Sequence, residues 1–129
     1  MAGNRVVARF KDGRLVKGTT TDFTPLRDQL HIHTDSGVVA VRREELKALF
    51  FVKDLAGDPR HAKSNLFAPE RPVIGRKIAV EFTDGEILVG TTQGYRPERE
   101  AFFVVPADPE SNAERCFVVA SATRQVKTR

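Results

Sequence analysis

The sequence predicts an all-β protein: a tandem repeat of two small five-stranded barrels packed together. Three observations carry that expectation. Apolar and polar residues alternate over short runs rich in Val, Ile, Thr and Phe, as half-buried strands require. Asp-Gly pairs, the commonest residues of tight hairpins, separate the first two runs of each half. The whole pattern then recurs at a fixed spacing. Val6-Val7-Ala8-Arg9-Phe10-Lys11-Asp12-Gly13 returns 72 residues later as Ile78-Ala79-Val80-Glu81-Phe82-Thr83-Asp84-Gly85. The same spacing carries Gly18-Thr19-Thr20 onto Gly90-Thr91-Thr92, Phe23 onto Tyr95, Pro25 onto Pro97 and Arg27 onto Arg99.

In the first half, Arg5–Phe10 reads as strand one and Asp12-Gly13 as a turn that needs positive φ. Leu15–Phe23 reads as a long second strand, in which Gly18 marks a bend of the kind that lets short strands close into a barrel. Pro25 fixes φ in the turn Thr24–Asp28. Gln29–Thr34, Val38–Arg42 and Ala48–Lys53 complete five strands, with one short turn over Arg43–Lys47. The second half repeats this as Lys77–Phe82, Ile87–Tyr95, Ala101–Val105, Arg115–Val119 and Arg124–Lys127. Beyond the third strand the spacing grows to 77, which carries Val41 onto Val118. The five extra residues fall in the loop Pro106–Glu114, where the first half has only Thr34-Asp35-Ser36-Gly37. The domains are therefore read as 1–54 and 77–129. Residues 55–76, with Gly57, Pro59, Pro69, Pro72 and Gly75, form a linker that Leu66-Phe67 would anchor.

The chain has 129 residues and a net charge of +4. Its excess is local: residues 1–64 hold 12 Lys and Arg against 8 Asp and Glu, whereas the remainder is balanced. The single Cys116 excludes an internal disulfide and a cysteine-based zinc site, and its apolar neighbours Phe117-Val118-Val119 predict a buried, unreactive thiol. With no long apolar run, the expected location is the cytoplasm, away from membranes.

Phe10-Lys11-Asp12-Gly13-Arg14, Gly18 and Phe23 stand where an Sm-like small barrel, itself a Src-homology-3-like architecture, has its hairpin, bend and aromatic. The first half thus resembles that family in fold. It departs from it in function. Strand one begins by Arg5, leaving no place for an N-terminal helix. Thr24-Pro25-Leu26-Arg27 lacks the RNA-contacting Asn, and Arg42-Arg43-Glu44 replaces the later Arg-Gly. Over its full length the chain is similar to an uncharacterised bacterial family of duplicated domains, a domain of unknown function. The similarity lies in Lys47–Asp54, Phe102–Asp108 and Glu114–Val119. That resemblance implies a regulatory module of bacterial signalling, in the company of PilZ-type cyclic-dinucleotide receptors, and no catalytic residues. The PilZ signature itself is not present.

The expected function is a non-enzymatic adaptor that binds another protein, a signalling component, with no cofactor and no metal. Arg27 and Arg99 occupy equivalent Pro-x-Arg turns and could grip an acidic group together. Asp108, Glu110, Asn112 and Arg115 belong to the enlarged loop and complete the candidate partner surface. The alternative is a phosphate-bearing ligand, a cyclic dinucleotide or RNA, held on a basic face of Arg9, Lys11, Arg14, Lys17, Arg42 and Arg43. A homo-oligomer is a third expectation, because small barrels keep open edge strands. His31 and His33 share one strand face, but their counterparts Phe103 and Val105 are apolar, so a metal-free pair is expected. Phe50-Phe51-Val52, Phe102–Val105 and Phe117-Val118-Val119 are continuous apolar runs. Such runs imply strands covered on both faces, with the other half as the expected cover.

Overall fold

A computed structural model describes residues 3–55, 75–108 and 111–128. Ten strands run in chain order: β1 Asn4–Phe10, β2 Leu15–Thr20, β3 Gln29–Thr34, β4 Gly37–Arg42, β5 Leu46–Val52, β6 Arg76–Phe82, β7 Ile87–Thr92, β8 Ala101–Pro106, β9 Ala113–Val119 and β10 Thr123–Thr128. Two 3-10 turns, Arg43–Glu45 and Ala120–Ala122, precede β5 and β10. The strands form one open antiparallel sheet in the order β10-β6-β7-β8-β9-β5-β1-β2-β3-β4. The all-β expectation therefore holds as a single ten-stranded sheet. The predicted linker lies almost wholly outside the described residues, as do Glu110 and Leu66-Phe67.

The hairpins form where Asp-Gly predicts them. Gly13 and Gly85 take φ of +94° and +93°, a region closed to most side chains. Asp12 and Asp84 each accept the backbone N–H two residues on, which closes the turn. Pairing registers match at the 72-residue spacing: Val6 faces Gly18 and Ile78 faces Gly90. At Gly18 and Gly90 the neighbouring strand comes too close for a side chain. A Cβ at Gly18 would overlap the His33 carbonyl and Ile32 Cγ2, and one at Gly90 would overlap the Val105 carbonyl and Val104 Cγ1. The second strands stop at Thr20 and Thr92, short of the expected Phe23 and Tyr95. Both aromatics leave the strand to pack inward, Tyr95 lying 4.7 Å from Phe102 and Phe23 lying 5.1 Å from Phe51.

Two hydrophobic clusters form the core, and the β5·β9 pair contributes to both. Leu49 and Phe51 of β5, with Phe117 and Val119 of β9, enter the first cluster beside Val6, Ala8, Phe10, Leu30 and Ile32. Ala48, Cys116 and Val118 point the opposite way, into the second cluster beside Ile78, Val80, Phe82, Leu88, Phe102 and Val104. This is why the apolar runs do not alternate: both faces of β5 and β9 are inside. Phe23, Phe51, Phe103 and Phe117 form a ring cluster with centroids 5.0 to 6.3 Å apart, edge-to-face around Phe23 and tilted between Phe103 and its neighbours Phe51 and Phe117. Each such contact contributes ~1 kcal/mol beyond the area it buries.

Candidate interaction surface

Between the two 3-10 turns and the Pro-containing turns that precede β3 and β8 lies a groove of about 730 Å³. Asp28, Gln29, Arg42, Arg43 and Glu44 line it from the first half, and Glu98, Arg99, Glu100 and Val119–Ser121 from the second. Its walls are built by matched backbone contacts: Arg43 N–H donates to the Asp28 carbonyl and Ala120 N–H to the Glu100 carbonyl, both at 2.8 Å. These bonds dock each 3-10 turn against the preceding Pro-containing turn. Arg43, with its side chain only 20% exposed, spans the groove: it donates to Glu100 Oε2 at 2.8 Å and to the Pro25 carbonyl at 3.1 Å. Lys11 reaches across to the Ser121 hydroxyl at 2.6 Å. Arg42 contacts Glu44 at 3.4 Å, a solvent-exposed pair of little energetic weight. Arg99 and Glu98 make no ion pair among the described residues.

The predicted site residues divide. Arg99 lines the groove, whereas Arg27 is exposed on its own turn and is not one of the lining residues. Arg42 and Arg43, expected in a basic face, stand beside Arg99 instead. The loop residues are taken up by the fold. Asn112 accepts the Asp54 N–H at 3.0 Å, donates to the Asp54 carbonyl at 2.7 Å, and its own carbonyl accepts from Lys53. The Arg115 guanidinium stacks over Phe51 at 4.2 Å and Phe103 at 5.0 Å, roofing the aromatic cluster. Asp108 is buried, and its carbonyl accepts from Ser111.

Arg9 and Lys17 lie on the outer face of β1–β2, with Arg9 over Phe50 at 5.8 Å. Arg14 pairs with Asp12 at 2.8 Å and covers Phe10 at 4.5 Å.

Three charged contacts were invisible to sequence reasoning because their partners are far apart in the chain or lie across a turn. Lys47 is nearly buried, lies 4.6 Å over Phe82, and donates to Asp84 at 2.7 Å and to Glu86. The Lys47 ammonium holds the Asp84 carboxyl below its ordinary pKa. Arg43–Glu100 is the second. In the third, Asp22 accepts the His31 N–H at 3.0 Å and lies 2.7 Å from His31 Nδ1. The His31 backbone N–H, followed by its ring, lowers the Asp22 pKa to about 2. Among the described residues no three His, Cys, Asp or Glu side chains gather as a metal site. No helix among them is long and apolar enough to cross a membrane.

Residues 2–128 match the model of a family of unknown function (DUF6982). No curated protein and no solved structure matches the chain. The chain belongs to the DUF6982 family.

Proposed function

We propose that this member of the family is a non-enzymatic protein-interaction module, an adaptor of bacterial signalling or regulation that holds a partner polypeptide along the groove. The scaffold is a tandem repeat of two Sm-like small barrels, each the curled half of the ten-stranded sheet. Support for the repeat comes from the shared 72-residue spacing and from the hairpin registers that coincide under it.

Support for the partner class comes from one observation: the groove is lined by three arginines and four carboxylates. A polyanion such as RNA would be repelled by Asp28, Glu44, Glu98 and Glu100, whereas a polypeptide of mixed charge can satisfy both signs. Four of the six residues of the expected basic face, Lys11, Arg14, Arg42 and Arg43, are also engaged internally, by Ser121, Asp12, Glu44 and Glu100.

A photo-crosslinking amino acid at Glu98 tests this in lysate of the source organism. The expected result is a discrete protein adduct that persists at high salt and is lost in Arg99→Glu. Adducts with nucleic acid alone, or binding of a phosphate-bearing ligand that falls steeply with salt, would overturn it.

A further inference from the structure

The two ends of the sheet differ, and the internal seam shows what one of them is built to take. Under the spacings of 72 and 77, β9 corresponds to β4 and β5 to β10. Inside the chain the edge of β9 is filled by β5, with Ala48 opposite Val118, Leu49 opposite Phe117, Phe50 opposite Cys116 and Phe51 opposite Arg115. The equivalent edge of β4 ends the sheet and carries no partner strand among the described residues.

That edge is apolar: Gly37-Val38-Val39-Ala40-Val41, with Val38 59% exposed, Ala40 exposed and Val41 buried. Bare apolar edges are the ones that charges normally protect from strand addition. No charged residue protects β4 before Arg42.

A second copy is a poor occupant. Its matching strand, β10, has Gln125, Lys127 and Thr128 where β5 has Ala48, Phe50 and Phe51. Its Arg124 would approach Asp12 and Arg14, where Lys47 meets Asp84 and Glu86. One of the two attractions becomes a repulsion.

We propose that the edge of β4, open among the described residues, is a strand-acceptor site for an extended segment of a partner protein, added antiparallel as β5 is added to β9. The segment is aliphatic and aromatic over four or so residues, with a basic residue about five positions ahead of that core. Three correspondences set these preferences. Leu49-like and Phe51-like side chains would lie beside Ala40 and Val38, on the face that Phe117 and Arg115 occupy in the seam. Ala48-like and Phe50-like side chains would lie beside Val41 and Val39, which pack on the first cluster. The leading basic residue would meet Asp28 as Arg43 meets Glu100. Main-chain pairing supplies affinity in such complexes and the alternate side chains supply selectivity. The site rests on the interaction-module reading and adjoins the groove through Asp28 and Arg42, which line it.

The test uses the intact chain and a labelled synthetic peptide copying Arg43–Lys53, followed by fluorescence anisotropy. Saturable binding is expected, weakened more than about tenfold by the double substitution Val38→Lys/Ala40→Lys. Both side chains are exposed, so an unchanged thermal midpoint certifies the fold. Replacing the peptide's Arg43 by Ala should weaken binding several-fold in the natural chain and have no effect in Asp28→Ala. No saturable binding, or binding indifferent to Val38→Lys/Ala40→Lys, would overturn the proposal. So would concentration-dependent self-association that the same double substitution abolishes, since a second copy would then fill the edge. If the peptide fails while the Glu98 crosslink persists, the strand site falls and the interaction module stands.

Discussion

Asp22 shows how one side chain can replace a stretch of backbone pairing. Only Thr19 and His33 pair across β2 and β3, beside the point where the His33 carbonyl closes on Gly18. Past that point Asp22 supplies acceptors to the His31 backbone and ring and to the Thr20 hydroxyl. Hydrogen bonds to the ionised carboxyl lower its pKa from 3.8 to about 2. A carboxyl depressed in the folded state stabilises fully above its unfolded pKa, and that contribution is lost as pH falls through the folded value. The acid limb of stability between about pH 4 and pH 2 should therefore carry an Asp22 component. Urea midpoints measured across that range should fall less steeply in Asp22→Asn than in the natural chain. Identical slopes would show that Asp22 contributes nothing.

At the scale of elements, β5 and β9 decide the architecture, and the sequence announces half of that. Phe50-Phe51-Val52 and Phe117-Val118-Val119 break alternation, which requires cover on both faces, and the structure places a cluster on each side. That β5 pairs edge to edge with β9 had no local signal, because backbone pairing between distant strands leaves no fixed spacing. Hairpins were legible because Asp12-Gly13 and Asp84-Gly85 are local chemistry. The ends of β2 and β7 were not, since Phe23 and Tyr95 are strand formers drawn away by tertiary contacts. The site was legible in residue type more than in place. Arg99, Arg42 and Arg43 do share a surface, but Arg115 and Asn112 turned out to hold the seam, through Phe51, Phe103 and Asp54. Phe117 is the seam's central ring, touching Phe23 and Phe103 at 5.0 Å each. Phe117→Ala should destabilise the protein by ~3–5 kcal/mol, the range for a large aromatic removed from a packed core. Denaturant melts would measure it, and a cost below ~1 kcal/mol would mean the seam is loosely packed.

For the molecule as a whole, neither cluster is complete within its own half. The first needs Phe117 and Val119 from β9, and the second needs Ala48 from β5. Lys47 and Arg43 add charged contacts across the same boundary. Units of some sixty residues are marginal alone, so the shared strands should bind the halves into one cooperative structure. This unity also fixes the geometry of the groove and leaves β4 as the apolar end of the sheet. Native-state hydrogen exchange on the intact chain tests it most directly, by comparing the amides of Leu49, Phe50 and Phe117 with those of Val6 and Ile78. A single sheet predicts that seam and core amides exchange with the same, global free energy of opening. Seam amides that exchange through a lower-energy opening, while both cores stay protected, would show two independent units and contradict it.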